Sequence, residues 1–156
     1  MKRSAGLVAF VALLGCSAID PAIGDPNASI KTARVEAGPP VNFGRDIRPL
    51  MNRANDDPTA HGCKFCHYST EPQHIGLDIA KLDMSTLGTL RKGGKNTGAN
   101  IVVPGNPDGS AIIQKLRGTF SRGVRMPYSG PPYWSDAEIA LVARWISEGA
   151  KGDDSE

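Results

Sequence analysis

Five consecutive residues, Cys63-Lys64-Phe65-Cys66-His67, constrain this chain more than any other feature. C-x-x-C-H is the spacing that attaches haem covalently. Two thiols that far apart can add across the two vinyl groups of one macrocycle as thioethers. An imidazole on the next residue then rises beneath the iron as its proximal ligand. Iron held this way needs one further protein ligand, or none.

Other chemistries use a cysteine pair. Structural zinc takes four ligands, commonly from two such pairs, and the only other cysteine is Cys16. A Cys2His2 set drawing on His61, His67 or His74 is conceivable, although its spacing follows no common zinc pattern. A thioredoxin-like dithiol belongs beside a βαβ unit, and no strand pattern flanks Cys63 and Cys66. The composition agrees with a cofactor-centred core. Only 6% of the residues are aromatic and 40% apolar, a thin core for the one domain that 156 residues suggest.

The first residues have the character of an export signal. Lys2 and Arg3 precede the apolar run Leu7–Leu14, which is too short to span a bilayer. Leu13-Leu14-Gly15-Cys16 resembles the lipobox of bacterial lipoproteins, and the alternative is an ordinary signal peptide with a chance Cys. The resemblance implies cleavage after residue 15 and acylation of Cys16. Several acyl chains on one residue anchor a protein stably where one does not. Ser17 fits the outer-membrane sorting type, with the protein facing the periplasm, and export suits a covalent haem. Losing Lys2 and Arg3 takes the formal charge from +2 to zero, so charge gives no reason to expect nucleic acid. Residues 16–40 then read as the lipidated Cys and a flexible tether, rich in Pro and without periodicity.

A folded domain is expected over 41–150, with an acidic, frayed tail at 151–156. Phe43, Ile47, Leu50 and Met51 share a helix face, and Pro49 requires regular helix to begin just before it. Short helices are expected over 77–82 and 84–90, the second capped by Ser85. An extended run is expected at 101–103, and a helix from Asp108 to Gly118. The last helix is the clearest. Ser135 and Glu138 form a capping box, Ile139, Val142 and Ile146 share one face widened by Leu141 and Trp145, and Gly149 suits its exit.

The stretches VNFGRDIRPLM, VPGNPDGSAIIQKL, Arg125-Met126-Pro127, Gly130-Pro131-Pro132 and the capped helix ending in Trp145-Ile146 and Gly149-Ala150 resemble the planctomycete-type cytochrome c domain, a class I-like monohaem cytochrome c. The likeness spans about residues 41–150. One departure is the polar lead-in from Asn52 to Gly62, longer than the family pattern. The resemblance implies an all-α small cytochrome c fold, three to five helices around one covalent haem c, its first and last helices crossed. It implies that Met126, 59 residues after His67, is the sixth ligand. Met51 reads better as core, Met84 follows the motif closely, and His61 and His74 are competing ligands. Pro104 is a candidate carbonyl for the second ring nitrogen of His67.

With both axial positions filled by protein, such an iron passes single electrons and does not readily bind substrate. A lipid-anchored electron carrier is therefore expected and not an enzyme. The alternatives are a haem sensor or peroxidase-like enzyme with a labile sixth ligand, and a non-haem zinc lipoprotein. From Met84 to Ser135 seven cations (Arg91, Lys92, Lys95, Lys115, Arg117, Arg122, Arg125) meet one acid, Asp108, a net +6. Lys115, Arg117, Arg122 and Arg125 are thus candidate contacts for a redox partner with an acidic docking patch.

Overall fold

The computed structural model describes residues 38–156. The signal segment 1–15, Cys16 and all but the last three residues of the tether lie outside the described residues. Among the described residues there are six α-helices and no strand, with α1 at Arg48–Met51, α2 at Lys64–His67, α3 at Ile75–Ala80, α4 at Leu87–Lys92, α5 at Ala111–Arg117 and α6 at Asp136–Ser147. The all-α expectation holds, but the helices number six where three to five were expected, because α1 and α2 are separate single turns of four residues on either side of the polar lead-in. No helix among the described residues is long and apolar enough to cross a membrane.

The leading helix is not regular throughout. Residues Phe43–Ile47 form a π turn, and the α register begins at Arg48, whose N–H still reaches back to the Phe43 carbonyl. Pro49 has no N–H to offer Arg45, so α hydrogen bonding cannot run through that point. The wider π turn leads the chain into α1 with Pro49 in its first turn. Asn42 caps the entry, its side chain accepting from the Arg45 N–H at 2.7 Å, while Asp46 accepts from the Asn42 N–H at 2.8 Å. The buried face of this entry meets α6. The Phe43 and Trp145 rings lie 5.1 Å apart at 39°. Ile47, Ile139, Val142 and Ile146 are buried in the same core, with Leu50 packed against its edge. First and last helices therefore pack together as expected. Ser135 and Glu138 form the expected capping box.

The polar lead-in from Asn52 to Gly62 leaves the core and returns to it. The Cys63 N–H donates to the Met51 carbonyl at 2.8 Å, so the eleven intervening residues form a closed Ω-type loop. This preserves the handover from α1 to the cysteine motif despite the added length. Gly62 makes the closure. A Cβ there would stand 2.6 Å from the Met51 carbonyl oxygen, with the Arg53 backbone equally in the way. Gly62→Ala is expected to lower stability by about 2 kcal/mol or more, as overpacking against rigid atoms does. A urea midpoint equal to wild type would show that the loop closes without that contact.

Four local expectations are corrected. The cap of α4 is Thr86, in a capping box with Thr89. Ser85 donates instead to Asp83, and its oxygen, which a cap would turn to a helix N–H, accepts from the Ser69 N–H. Ile101 ends a 3-10 turn, Gly98–Ile101, and extended backbone is reached only at Val102. Helix α3 runs two residues earlier than expected and stops where Lys81 adopts φ 54°. The acidic tail is docked and not frayed. The Leu87 N–H donates to the Glu156 carbonyl at 2.6 Å, and the Gly88 N–H to that of Asp154 at 3.0 Å. Arg91 pairs with Asp154 and donates to the Ala150 carbonyl. The orphan N–H groups of the first turn of α4 supply what holds it.

Candidate functional site

The single turn of α2 sets the cysteine motif. The Cys63 carbonyl accepts from the N–H of Cys66 at 3.3 Å and of His67 at 3.0 Å. All three motif side chains therefore leave one short helix, and all three line one cavity of about 550 Å³. That lies within the roughly 300–1,000 Å³ that ligand and cofactor sites take. The remaining walls are mainly apolar, with Ile75 and Ile79 from α3, Leu82, Ile101, then Ile112 and Leu116 from α5, and Phe120, Val124 and Pro127 beyond it.

The imidazole of His67 is held from behind by a strap. Its Nδ1 lies 3.1 Å from the Leu82 carbonyl oxygen, and the Met84 N–H donates to the His67 carbonyl at 2.9 Å. The carbonyl at Nδ1 thus comes from Leu82, and the expectation of Pro104 is corrected. The chain returns beside α2 directly after α3, fifteen residues on, well before Pro104 is reached. Arg48 fixes the strap in turn, donating from Nη1 to the Met84 carbonyl at 2.9 Å and to the Tyr68 hydroxyl at 2.7 Å. On the other side of the ring, a Cβ at Gly76 would stand 2.8 Å from His67 Nε2. Only glycine lets α3 pass so near. Neither Leu82 nor Gly76 is singled out by the sequence: one acts through its backbone, the other through an absent side chain.

Burial lowers the basicity of His67, with the nearby Lys115 charge acting the same way and the Leu82 carbonyl opposing both. The ring is therefore neutral near pH 7, the form that ligates metals. Burial also pushes the Cys63 thiol up to about 12 and raises Cys66. Both are protonated thiols at neutral pH, unlike the acidic thiol of a dithiol oxidoreductase. Among the described residues, no three of His, Cys, Asp and Glu gather as a metal cluster.

The possible partners of His67 separate clearly. Met126 and Met84 both line the cavity. Met51 is completely buried in the core and is not part of the lining. His74 lies outside the cavity beside Asp78. His61 also lies outside it, with Nδ1 2.6 Å from Ser129 Oγ. Met126 enters from the α5 side, its N–H donating to the Lys115 carbonyl at 3.0 Å.

The expected docking cations are largely engaged within the chain. Lys115 donates to the carbonyls of Arg122 at 2.6 Å and Val124 at 3.2 Å and lies 4.9 Å from the centre of the Phe120 ring. Desolvation lowers its pKa. It ties the loop after α5 and is no free docking group. Arg125 donates to the Leu116 carbonyl at 2.8 Å and stacks on Tyr133. Arg117 pairs with Asp108 at 2.7 Å. Arg122 remains exposed at the cavity mouth, joined there by Lys95. Charge counting along the sequence could not foresee this, because the lysine and arginine partners are mostly backbone carbonyls.

Comparison of the chain with protein-family models, with curated proteins and with solved structures finds no match.

Proposed function

We propose that this chain is an extracytoplasmic, lipid-anchored c-type cytochrome that passes single electrons. One haem c is held by thioethers to Cys63 and Cys66, with His67 and Met126 as its axial ligands. The observation that carries the proposal is convergence. C-x-x-C-H and a methionine from a distant loop line the same apolar cavity of about 550 Å³. The donor set fits the group: two protonated thiols, a neutral imidazole oriented by a backbone carbonyl, and a soft thioether. When bound, haem supplies the reversible one-electron couple. The chain's own contribution is to hold the imidazole through Leu82, to exclude water with the buried Ile112 and Leu116, to offer the exposed Ile75 and Ile79 as apolar surface for the group to cover, and to bring Met126 to the cavity. Zinc has less support, since no group of three or more His, Cys, Asp or Glu is placed to hold a metal ion among the described residues and structural zinc takes four ligands.

Acylation of Cys16 in the outer membrane, facing the periplasm, remains part of the proposal on sequence grounds. Pyridine haemochrome analysis of the purified, exported protein tests the central claim. One haem c per chain is the expected result, and a haem-free chain would end the proposal.

The redox partner meets the cavity mouth, where Lys95 and Arg122 are the exposed cations. Reversing both to Glu is expected to slow electron transfer to an acidic partner several-fold at low salt, with the haem spectrum unchanged. The difference should fade toward 1 M salt, where the Debye length is about 3 Å. Rates indifferent to both the reversals and ionic strength would remove the electrostatic account of docking.

A further inference from the structure

The Ω-type loop between Met51 and Cys63 is the part of the domain that the cytochrome resemblance leaves without a purpose. Its far end touches the loop that carries Met126. Ser129 Oγ donates to Asn55 Oδ1 at 2.9 Å and lies 2.6 Å from His61 Nδ1. A hydroxyl has one proton, and a carbonyl oxygen can only accept. The Ser129 proton is therefore spent on Asn55, and His61 must donate its Nδ1–H to the Ser129 oxygen. The backbone joins in as well. Trp134, 3% exposed, donates its indole N–H to the His61 carbonyl at 2.8 Å. Both loops also line the same cavity, one through Asn55 and Gly62, the other through Met126 and Ser129. Bonds to Ser129 and Trp134 bracket the segment that follows Met126.

We infer that this loop is a clamp whose residues Asn55 and His61 hold the Met126 loop against the cavity, so that they are positioning residues for the sixth ligand. The inference rests on the haem reading above. Lys115 and Arg125 tie the loop only up to Met126, and a loop held on that side alone would let the thioether leave readily and open the iron to external ligands. Gripped three and eight residues further on, it reseats each time it departs. The clamp acts on how often Met126 leaves and does not touch the cofactor itself.

The test measures imidazole binding to the ferric holoprotein. Asn55 and Ser129 are exposed, so single substitutions there leave the core intact. Asn55→Ala and Ser129→Ala are each expected to bind imidazole about tenfold faster, the factor that one hydrogen bond of ordinary net strength supplies. Asn55→Asp retains an acceptor for the Ser129 hydroxyl and is expected to behave as wild type, which loss of bulk or general loosening would not produce. Amide exchange over residues 127–134 should accelerate in the two Ala variants and not in Asn55→Asp. Haem-loaded Ala variants that bind imidazole at the wild-type rate would overturn the clamp and leave the haem reading standing. A wild-type chain without haem would remove both.

Discussion

Cys63→Ser/Cys66→Ser is expected to give a chain with less than a tenth of the wild-type haem and no cooperative thermal transition. The reason is burial as much as covalent attachment. The motif borders an apolar cavity of about 550 Å³, and in the chain by itself its walls Ile75, Ile79 and Val124 stand 60%, 62% and 52% exposed. Each large aliphatic side chain left out of the core forgoes up to about 1.5–3 kcal/mol, against a whole domain stability of about 5–15 kcal/mol. The walls are expected to collapse, and α3 and the loop after α5 to lose fixed packing first. Far-UV circular dichroism should retain much of its helical signal while near-UV structure around Trp134 and Trp145 is lost. A double variant that melts sharply at the wild-type temperature would show that the cavity needs no occupant.

What the sequence made legible was local or strongly periodic. The S-x-x-E box of Ser135 and Glu138 and the apolar face of α6 depend on neighbours within two turns, and both recur in the fold. The pairing of Phe43 with Trp145 follows because each is the largest apolar group on its helix face. The motif on α2 was legible from spacing alone. The remainder depends on backbone groups that have no letter in the sequence. The Leu82 carbonyl at His67 Nδ1, the carbonyls of Arg122 and Val124 that take up Lys115, and the Glu156 and Asp154 carbonyls on the first turn of α4 all belong to this kind. Acidic residues at 151–156 suggested solvation, yet their backbone is what docks. The loop from Asn52 to Gly62 read as a departure from pattern, and only its closure on Met51 shows why the departure is harmless to the motif.

The choice between Met126 and Met84 gives the second large effect. Both side chains border the cavity, but their backbones are held differently. Met84 belongs to the strap behind His67. Its N–H bonds the His67 carbonyl, its carbonyl is held by Arg48, and its side chain is 4% exposed within the core. Under the proposed ligation, a residue bonded to the backbone of His67 belongs with the strap behind that ligand and not opposite it. Met126 comes instead from the loop beyond α5, tied through its N–H to Lys115. Met126→Ala is therefore expected to lower the reduction potential by on the order of 0.1 V or more, since axial ligands set haem potentials over a range of about 0.8 V. The ferrous protein should gain rapid CO binding, at small cost in stability. Met84→Ala is expected to do the reverse. It should cost about 2–5 kcal/mol, as Met→Ala does in a core, and leave the potential and the CO-inert iron nearly as they were. If the potential falls with Met84→Ala and holds with Met126→Ala, the strap carries the sixth ligand and the assignment of Met126 is wrong.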